Sequence, residues 1–479
     1  MSKIIFMRAH LSLLLMFTFF AATAQELPCG VGDGTYEDEL VRQQAIAVLK
    51  SQYSLPLPTL TYVAVKMHLF GATTAPSYLP AAFINNALAK LNKEFGDFNL
   101  EFYFAGTSFN YYPDSYFNSG QQTDIENQNF HNTYGVNNAI NVYIQATVLN
   151  NGNSVGGYSY VGPTSQPYNR MYLKTIQVED DRTFIHEMGH YFTLRHTFNN
   201  STSTNISNRE LVTRTTEVLP RLSANCLTAG DFICDTHADP YGNGDGNMLS
   251  WGCNYAGTVT DANLDPFTPH TRNYMSYHGS CAPFSFSEGQ KSRIQDGYML
   301  VDSGSGFSLD APETVQPAPS NVTAVVSGST ITISWTDNST VETGYIVEHA
   351  TSPSGPFTAL KGVGPNTTST TTWVLSGITQ HFRVKPSNSR ANYGTTLDRT
   401  HFVGGIPLSI FPNPVASVLN FTGGKINFER AEVTNMAGQL VLSRTGIAGS
   451  LDVSGLQSGV YLIKAHESEN LYYGKFVKQ

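Results

Sequence analysis

The sequence predicts an α+β domain followed by two all-β domains. Runs with the periodicity of strands and helices alternate through the first half of the chain, in an order that suits an α+β fold. A stretch rich in Ser, Gly and Pro, residues 303–320, then separates this part from the remainder. After it come short alternating runs with turn residues roughly every ten positions, the pattern of β-sandwiches.

The N-terminus has the features of a secretory signal peptide. Lys3 and Arg8 precede the apolar run LSLLLMFTFFAA, and an A-x-A cleavage site follows at residues 22–24. Residues 1–24 are therefore predicted to direct export. The later sequence has no run of about 18 apolar residues, so no transmembrane segment is expected.

Composition narrows the possible partners. A length of 479 residues predicts about three domains. Only 14% of the residues are charged, the net charge is −9, and no stripe rich in Lys or Arg is present. Nucleic-acid binding therefore has no electrostatic basis here.

The first domain is expected to build a sheet with a cleft along one edge strand. Patterns predict a strand at 60–70, a helix at 80–95, a half-buried strand at 98–104 and a buried strand at 139–144. The run VGGYSYVG, residues 155–162, is the candidate edge strand. A substrate backbone would add to it as a further strand.

The run HEMGHYFTLRH, residues 186–196, predicts a metal site. His186 and His190 are four residues apart, so on a helix they share one face and can bind one ion. Glu187 is placed to hold a water molecule rather than the metal. His196 can supply a third nitrogen to the same ion only if the chain turns back after the helix. The alternative interpretation is an ordinary helix that carries three histidines by coincidence.

Further motifs follow in order: ANCLTAGDFICDTHADP at residues 224–240, Cys253, NYMSY at 273–277, and Cys281. Together with the histidine run, they resemble the pappalysin family of metzincin zinc metalloproteases over roughly residues 58–302. The resemblance implies zinc bound by His186, His190 and His196, with Glu187 as general base. It also implies a Met-turn at Met275 and an oxyanion hydrogen bond from Tyr277.

Two positions depart from the family pattern. Thr193 replaces a Gly that lets the chain turn toward the third ligand, and a β-branched residue at positive φ costs about 1–2 kcal/mol. The turn must therefore either take another backbone path or tolerate this strain. His237 stands where the family usually has Pro, and it is interpreted as a surface-loop residue rather than a group of the cleft.

The cysteines suggest two bridges and one odd thiol. Four of the five cysteines lie between 226 and 281 in an exported chain, and sequence alone permits three pairings of them. The family resemblance implies Cys226–Cys253 and Cys234–Cys281. Cys29 lies in LPCGVGDG within the segment 25–57, which resembles the cysteine-switch segment of a zymogen. A free or intermolecularly paired thiol is the alternative.

Calcium is a possible second metal. The run DPYGNGDGN, residues 239–247, offers carboxylate and carbonyl oxygens, the ligands that calcium prefers. The family resemblance also implies structural calcium. A solvated turn rich in Gly and Asn is the competing interpretation.

Two all-β domains are expected after a linker at 303–315. Residues 316–396, with Trp335 on an early strand, resemble a fibronectin type III domain. Residues 405–479 contain FPNP, the motif N-x-x-G-Q-L-V and the run LQSGVYLIK. This part resembles the C-terminal sorting domain of the type IX secretion system of Bacteroidetes. The resemblance implies recognition by that machinery and a secreted or cell-surface location.

These observations lead to a secreted zinc endopeptidase that acts on protein or peptide substrates. The competing hypothesis is a secreted binding protein on a catalytically decayed metzincin scaffold, which only Thr193 favours. A carbohydrate-binding surface protein, resting on the C-terminal β-domains alone, is a third. The segment 276–280 has no carboxylate, although Arg-selective members of the family carry one there. No strong preference for Arg or Lys after the cut is therefore expected.

Overall fold

The computed structural model contains one mixed α/β region followed by two regions built from β-sheets. It describes residues 36–52, 60–71, 78–150, 152–163, 165–178, 180, 182–246, 253–278, 282–304, 308–327, 330–373, 380–394, 397–399, 406–422, 427–435, 439–467 and 470–479. The fold class predicted from the sequence, an α+β domain followed by two all-β domains, is confirmed. Cys29 and Cys281 lie outside the described residues.

The first region carries all six α-helices and the first eight strands of the described chain. Its helices are α1 (Tyr36–Gln52), α2 (Ala81–Phe95), α3 (Ser115–Asn118), α4 (Asp124–Tyr134), α5 (Thr183–Tyr191) and α6 (Glu288–Gly304). Its strands are β1 (Thr61–Phe70), β2 (Leu100–Phe104), β3 (Asn110–Tyr112), β4 (Ile140–Gln145), β5 (Val148–Asn150), β6 (Asn153–Val155), β7 (Gly157–Ser159) and β8 (Arg170–Lys174).

The main sheet has the strand order β2-β1-β4-β8-β7, with β3 also paired to β1. Its pairs are parallel except for the last, in which β7 runs antiparallel to β8. Strand β7 is therefore an edge strand, as predicted for the run at 155–162. An antiparallel edge of this kind can accept an extended peptide as one more strand.

Helix α2 packs one apolar face against the sheet. Ile84, Leu88, Leu91 and Phe95 are fully buried, whereas Phe83 is 41% exposed. The spacing of the buried residues is that of one helical face. The apolar spacing of the predicted helix also includes Phe83, which lies beside this face rather than on it. Helix α5 joins the same core through Phe184, Ile185 and Met188.

The second region is a sandwich of two antiparallel sheets. Its strands are β9 (Ser320–Ser327), β10 (Thr330–Thr336), β11 (Tyr345–Ala350), β12 (Thr358–Val363), β13 (Ser369–Trp373), β14 (Gln380–Pro386) and β15 (Leu397–Arg399). One sheet has the order β13-β10-β9 and the other β12-β11-β14-β15. Trp335 lies on β10, an early strand as the sequence predicted, and is buried in the core of the sandwich.

This sandwich packs directly on the first region. Strand β12 lies along α2, where the Asn85 side-chain amide donates to the Thr343 carbonyl at 2.8 Å. Ile346 and Ala359 belong to the same apolar cluster as the residues of β1 and α2. The two regions therefore share one core.

The expectation of a half-buried strand at 98–104 is wrong. All five residues of β2 are buried. The second face is covered by the sandwich: Glu101 forms an ion pair with Lys385, and the Tyr103 hydroxyl accepts a hydrogen bond from Arg390 at 2.9 Å. Alternation along the strand could not reveal this, because the covering residues come from a distant part of the chain.

The segment after α6 is closely packed rather than free of the domain. The Leu309 carbonyl accepts the Ala64 backbone N–H at 2.7 Å, and the Ala311 N–H donates to the Asn138 carbonyl at 2.8 Å. Leu309 is fully buried. These contacts fix the connection against the sheet of the first region.

The third region has its own core. Its strands are β16 (Ile406–Pro407), β17 (Ser409–Phe411), β18 (Val418–Thr422), β19 (Asn427–Asn435), β20 (Leu440–Ala448), β21 (Ser450–Asp452), β22 (Gly459–Glu467) and β23 (Asn470–Lys478). They form sheets of the order β16-β23-β22-β19-β20 and β17-β18-β21. Within the described part of the chain, no helix has the length and apolarity needed to cross a membrane.

Candidate metal centre

Helix α5 presents the first two histidines. Its first turn is capped by Asp180, whose carboxylate accepts the Thr183 backbone N–H at 2.6 Å and the Thr183 hydroxyl at 2.6 Å. An acidic cap satisfies a backbone donor that the helix itself leaves unpaired. His186 and His190 then fall on one face, as their spacing predicted.

The three histidines converge on one point. The Nε2 atom of His190 lies 3.0 Å from that of His186 and 3.1 Å from that of His196. All three side chains are buried, and they form the one metal-ligand cluster of three or more residues found in the described chain. Nitrogens this close suit one ion bound at about 2.0–2.1 Å from each.

Backbone carbonyls orient two of these rings. His186 Nδ1 lies 2.7 Å from the Tyr274 carbonyl, and His190 Nδ1 lies 2.8 Å from the Leu194 carbonyl. A carbonyl oxygen only accepts, so each Nδ1 donates and each Nε2 keeps a lone pair for a metal. Burial, with the nearby His190 and His196, lowers the pKa of His186 well below its ordinary value. The residues present therefore fit a zinc ion.

The turn to His196 uses Thr193 in the left-handed conformation. Its φ angle is 75°, and its N–H donates to the His190 carbonyl at 2.9 Å while the Leu194 N–H donates to the Gly189 carbonyl at 2.9 Å. These two bonds form a Schellman motif at the end of α5. The chain thus keeps the backbone path that Gly would favour and tolerates the cost of a β-branched residue.

Two glycines make room for the Thr193 side chain. A Cβ atom at Gly162 would lie 2.7 Å from Thr193 Cγ2. A Cβ atom at Gly297, on α6, would lie 2.9 Å from Thr193 Oγ1 and would overlap the Phe192 carbonyl. The Thr193 side chain consequently packs against two glycines, whose lack of a side chain leaves room for it.

Met275 and Tyr277 both lie close to the histidine-bearing part of the chain. Met275 is fully buried, and its sulfur lies so near α5 that a Cβ atom at Gly189 would be 2.8 Å from it. The Tyr277 ring lies 4.8 Å from the ring of His196 and 5.6 Å from that of His186, measured between centroids. Tyr277 is 38% exposed. It can therefore reach a molecule bound at the three histidines.

Glu187 is adjacent to His186 in the chain and lies against the edge strand β7. It is buried, and a Cβ atom at Gly157 of β7 would lie 3.2 Å from its Cγ atom. A side chain at position 157 would press on this carboxylate. A peptide paired with β7 would consequently run close to both Glu187 and the histidines.

Sequence reasoning missed Asp239 as a member of this site. Its buried carboxylate accepts hydrogen bonds from Thr197 at 2.7 Å, Ser276 at 2.8 Å and His278 at 2.8 Å. Asp239 thereby joins the loop after His196 to the loop that carries Tyr277. No local pattern signals this role, since the residues lie far apart in sequence.

The predicted disulfides Cys226–Cys253 and Cys234–Cys281 are wrong. Cys226 is bonded to Cys234, and their Cα atoms are 5.0 Å apart. The intervening chain turns sharply through Gly230 (φ 66°) and Phe232 (φ 61°), which brings the two cysteines together. Cys253 is also disulfide-bonded.

The aspartates expected to hold calcium are bound by protein donors. Asp245 accepts from the Thr258 N–H, the Thr258 hydroxyl and the Val259 N–H, at 2.7, 2.6 and 3.0 Å. Asp239 accepts from the Tyr241 backbone N–H at 3.0 Å in addition to the three partners already described. This arrangement favours a hydrogen-bonded turn over a cation site at residues 239–246. His237 is exposed and lies 2.6 Å from the Thr268 carbonyl, as expected of a surface loop.

A second pair of carboxylates is only partly satisfied by protein donors, although Arg214 donates to Glu210 Oε1 at 2.7 Å and Thr236 donates to Asp231 Oδ1 at 2.8 Å. Glu210 and Asp231 are buried, and one oxygen of each, Oε2 and Oδ2, has no hydrogen-bond partner. Each charge acts to keep the other protonated. Burial and the charge of Asp231 raise the pKa of Glu210 well above its ordinary value, and burial raises the pKa of Asp231 to about 7.

Two parts of the chain match protein-family models. Residues 81–197 match the metallo-peptidase family M12B, reprolysin-like, and residues 409–479 match a secretion system C-terminal sorting domain. An extracellular metalloprotease of Podospora anserina is 26% identical over 254 residues, covering 48% of this chain and 71% of that protein. One of Verticillium alfalfae is 25% identical over 300 residues, covering 57% and 90%.

Among solved structures, a mutant promirolysin of Tannerella forsythia is similar, with a TM-score of 0.36 and 18% identity over 56% of this chain and 93% of that one. The family matches and the histidine cluster define the class: a zinc metalloprotease domain joined to a sorting domain. The chain is a secreted zinc metalloprotease that carries a type IX secretion sorting tail at its C-terminus.

Proposed function

We propose that this chain is an endopeptidase of the pappalysin type in which Glu187 acts as general base. The observation that carries the proposal is the convergence of three buried histidines, in which His190 Nε2 lies 3.0 Å from His186 Nε2 and 3.1 Å from His196 Nε2. Zinc bound there would supply a Lewis acid and a water molecule of lowered pKa.

The protein side chains then have separate roles. Glu187 accepts a proton from the attacking water and returns it to the leaving amine. Strand β7 binds the substrate backbone in extended form and presents the scissile bond beside Glu187. Tyr277 donates a hydrogen bond from its phenol to the oxyanion that develops on the scissile carbonyl.

A decayed scaffold that only binds its targets is the competing function. Thr193 was the one feature in its favour. The turn at Thr193 nevertheless brings His196 beside His190, so this residue gives no reason to expect an incomplete zinc site. The geometry therefore favours catalysis.

The test compares wild type with Glu187→Ala in zinc content and in cleavage of a peptide library. Glu187→Ala should retain zinc and lose cleavage by a factor of about 10²–10⁴. Glu288→Ala is the matched control, because that side chain is 85% exposed on α6. Equal cleavage by wild type and Glu187→Ala would refute the mechanism.

The proposal includes a structural calcium ion between Glu210 and Asp231. It is supported by the two buried carboxylate oxygens that lack partners, since calcium prefers carboxylate ligands. Both carboxylates belong to the loop region that follows the third histidine, and the charge of Asp231 acts on Glu210 by raising its pKa. Calcium there would hold this loop in place.

The proposal also includes latency through Cys29. The sequence around it, with glycines at 30, 32 and 34, would let a thiolate reach zinc in the open position. The form that begins at Gln25 should then be nearly inactive, and cleavage within the segment 25–57 should activate it.

The latency test compares pro-forms of wild type and Cys29→Ala, prepared under a reversible inhibitor. After release of the inhibitor, Cys29→Ala should cleave a short peptide at once, whereas wild type should show a lag. The same initial rate in both proteins would exclude Cys29 as the latch.

A further inference from the structure

The carboxylate of Glu39 on α1 is completely buried, although the helix lies at the surface. Its Oε2 atom lies 3.3 Å from Arg195 Nε and 2.9 Å from Arg42 Nη1. Its Oε1 atom forms an ion pair with Arg293 of α6. One acidic side chain of the N-terminal helix thus neutralises arginines from two other parts of the fold.

Arg195 belongs to the turn that carries the metal ligands. It precedes His196 directly and follows Leu194, whose carbonyl orients His190 at 2.8 Å. The Arg195 side chain is fully buried, with its guanidinium 4.9 Å from the Phe232 ring centroid. A displacement of Arg195 must therefore move the backbone on which both histidines depend.

Apart from Glu39, the contacts of α1 with the rest of the protein include one buried apolar side chain and a second ion pair. Among its described side chains, Ile46 is the one apolar residue that is buried, while Leu40, Val41 and Val48 are exposed. Near its end, Lys50 forms an ion pair with Asp296 of α6 at 2.5 Å, at a partly exposed site. Among the described residues of α1, Glu39 is therefore the one charged side chain that is buried against the rest of the protein.

The electrostatics favour an ionised carboxylate at this point. Burial by itself would raise the pKa of Glu39, but attraction to Arg293, Arg42 and Arg195 outweighs it and lowers the pKa. The charge of Arg293 also acts on Asp231, so Arg293 has a second acidic neighbour. Loss of Glu39 would therefore remove a counter-ion from Arg195, whose guanidinium is fully buried and so disfavours an uncompensated charge.

We propose that Arg195 and Arg293 form a carboxylate-binding site behind the metal ligands. In the intact chain Glu39 fills this site, and its occupancy positions His190 and His196. Glu39 is thus a positioning residue that acts through Arg195. The linkage rests on the proposed zinc-binding role of the three histidines.

Thermodynamic linkage makes the effect reciprocal. A carboxylate that stabilises the ligand turn raises the affinity for zinc, and zinc in turn strengthens the binding of α1. Processing that removes α1 would leave a site ready for another carboxylate. Acetate is the simplest probe of that vacancy.

The experiment uses the full chain with Glu187→Ala, which prevents self-cleavage. Zinc affinity is measured by chelator competition in this parent, in Glu39→Ala and in Glu37→Ala, whose side chain is exposed on the same helix. Glu39→Ala should bind zinc at least about tenfold more weakly, and Glu37→Ala should match the parent. Sodium acetate should restore the affinity of Glu39→Ala, whereas sodium chloride at equal ionic strength should not.

A second variant guards against general damage to the fold. Glu39→Gln combined with Arg195→Gln removes both charges, so it should bind zinc more tightly than Glu39→Gln alone. Weaker binding in the double variant would overturn the inference, as would unchanged affinity in Glu39→Ala or equal recovery in chloride. A parent that binds no zinc would instead overturn the proposed zinc site itself.

Discussion

Asp239 accepts a hydrogen bond from the hydroxyl group of Thr197 at 2.7 Å. The same carboxylate also accepts from Ser276 and His278, on either side of Tyr277. The buried Asp239 side chain therefore links the residue after the zinc ligand His196 to the loop that carries Tyr277. It thereby sets the distance between His196 and Tyr277. Hydrogen bonds made by residues around a metal site help to orient the metal ligands.

Replacement of Asp239 should impair catalysis more than metal content. Asp239→Asn cannot accept from all three donors in the same way, so Tyr277 should lose its fixed position. We expect a loss of about 10–100-fold in kcat/KM with zinc still bound. Asp245→Asn is the control, since that aspartate lies in the same run but away from the histidines. Equal losses in the two variants would contradict the assignment.

Gly297 should be intolerant of even a methyl group. A Cβ atom there would overlap the Phe192 carbonyl and lie 2.9 Å from Thr193 Oγ1. Gly297→Ala should therefore destabilise the protein by about 1–3 kcal/mol, despite the higher helix propensity of Ala. Denaturant unfolding measures this change.

Gly96 supplies the matched control for that experiment. It has a helical φ of −60°, and no atom lies within 4 Å of an added Cβ. Gly96→Ala should leave stability unchanged or raise it by about 0.4–1 kcal/mol. Similar effects of the two substitutions would mean that the contact between α6 and the ligand turn is unimportant.

Calcium should stabilise the protein more at pH 8 than at pH 5. Burial raises the pKa of Asp231 to about 7, from an ordinary value of 3.8. The metal-free folded chain then binds more protons than the unfolded chain between these values, so its stability falls as pH rises through that window. Calcium takes the place of those protons.

Thermal unfolding with calcium and with a chelator measures this difference. The calcium-induced increase in Tm should be clear at pH 8 and small at pH 5. Glu210→Gln combined with Asp231→Asn should abolish it, whereas the exposed Glu288→Gln should not. An increase that persists in the double variant would exclude calcium at this site.

Cleavage should show no strong preference for Arg or Lys after the cut. Ser276, Tyr277 and His278 offer no carboxylate there, and Gly279 and Ser280 cannot supply one. A buried guanidinium needs an acidic partner, and the segment 276–280 supplies none. A basic substrate side chain therefore gains no ion pair from this segment. Peptide-library cleavage followed by mass spectrometry tests this directly. A library cut mainly before Arg would refute the expectation.

The sequence predicted those features that local chemistry controls. Helical spacing alone brings His186 and His190 together, and the same period marks the buried face of α2. The edge strand was recognisable from its short run between turn residues. The sequence showed that Thr193 either tolerates a positive φ or forces another backbone path. The structure shows that it tolerates the positive φ, in a space left by Gly162 and Gly297, which no local pattern connects to Thr193.

Features that depend on distant contacts were predicted poorly. Strand β2 is buried on both faces because the sandwich covers it, so its alternation misled. The disulfides followed a family resemblance, whereas the actual pairing follows the tight turns at Gly230 and Phe232. The roles of Glu39 and Asp239 were not predicted, since each side chain acts by joining residues that only the folded chain brings together.

The contact between α2 and the sandwich limits how this protein can be recombined during evolution. Gly362 of β12 lies so close to Asn85 that a side chain there would overlap the helix backbone. A gene fusion that exchanged this sandwich for another would leave β2 uncovered and Glu101 without Lys385. The first and second regions must therefore be inherited together. The third region has a core of its own and can be joined to unrelated proteins without this constraint.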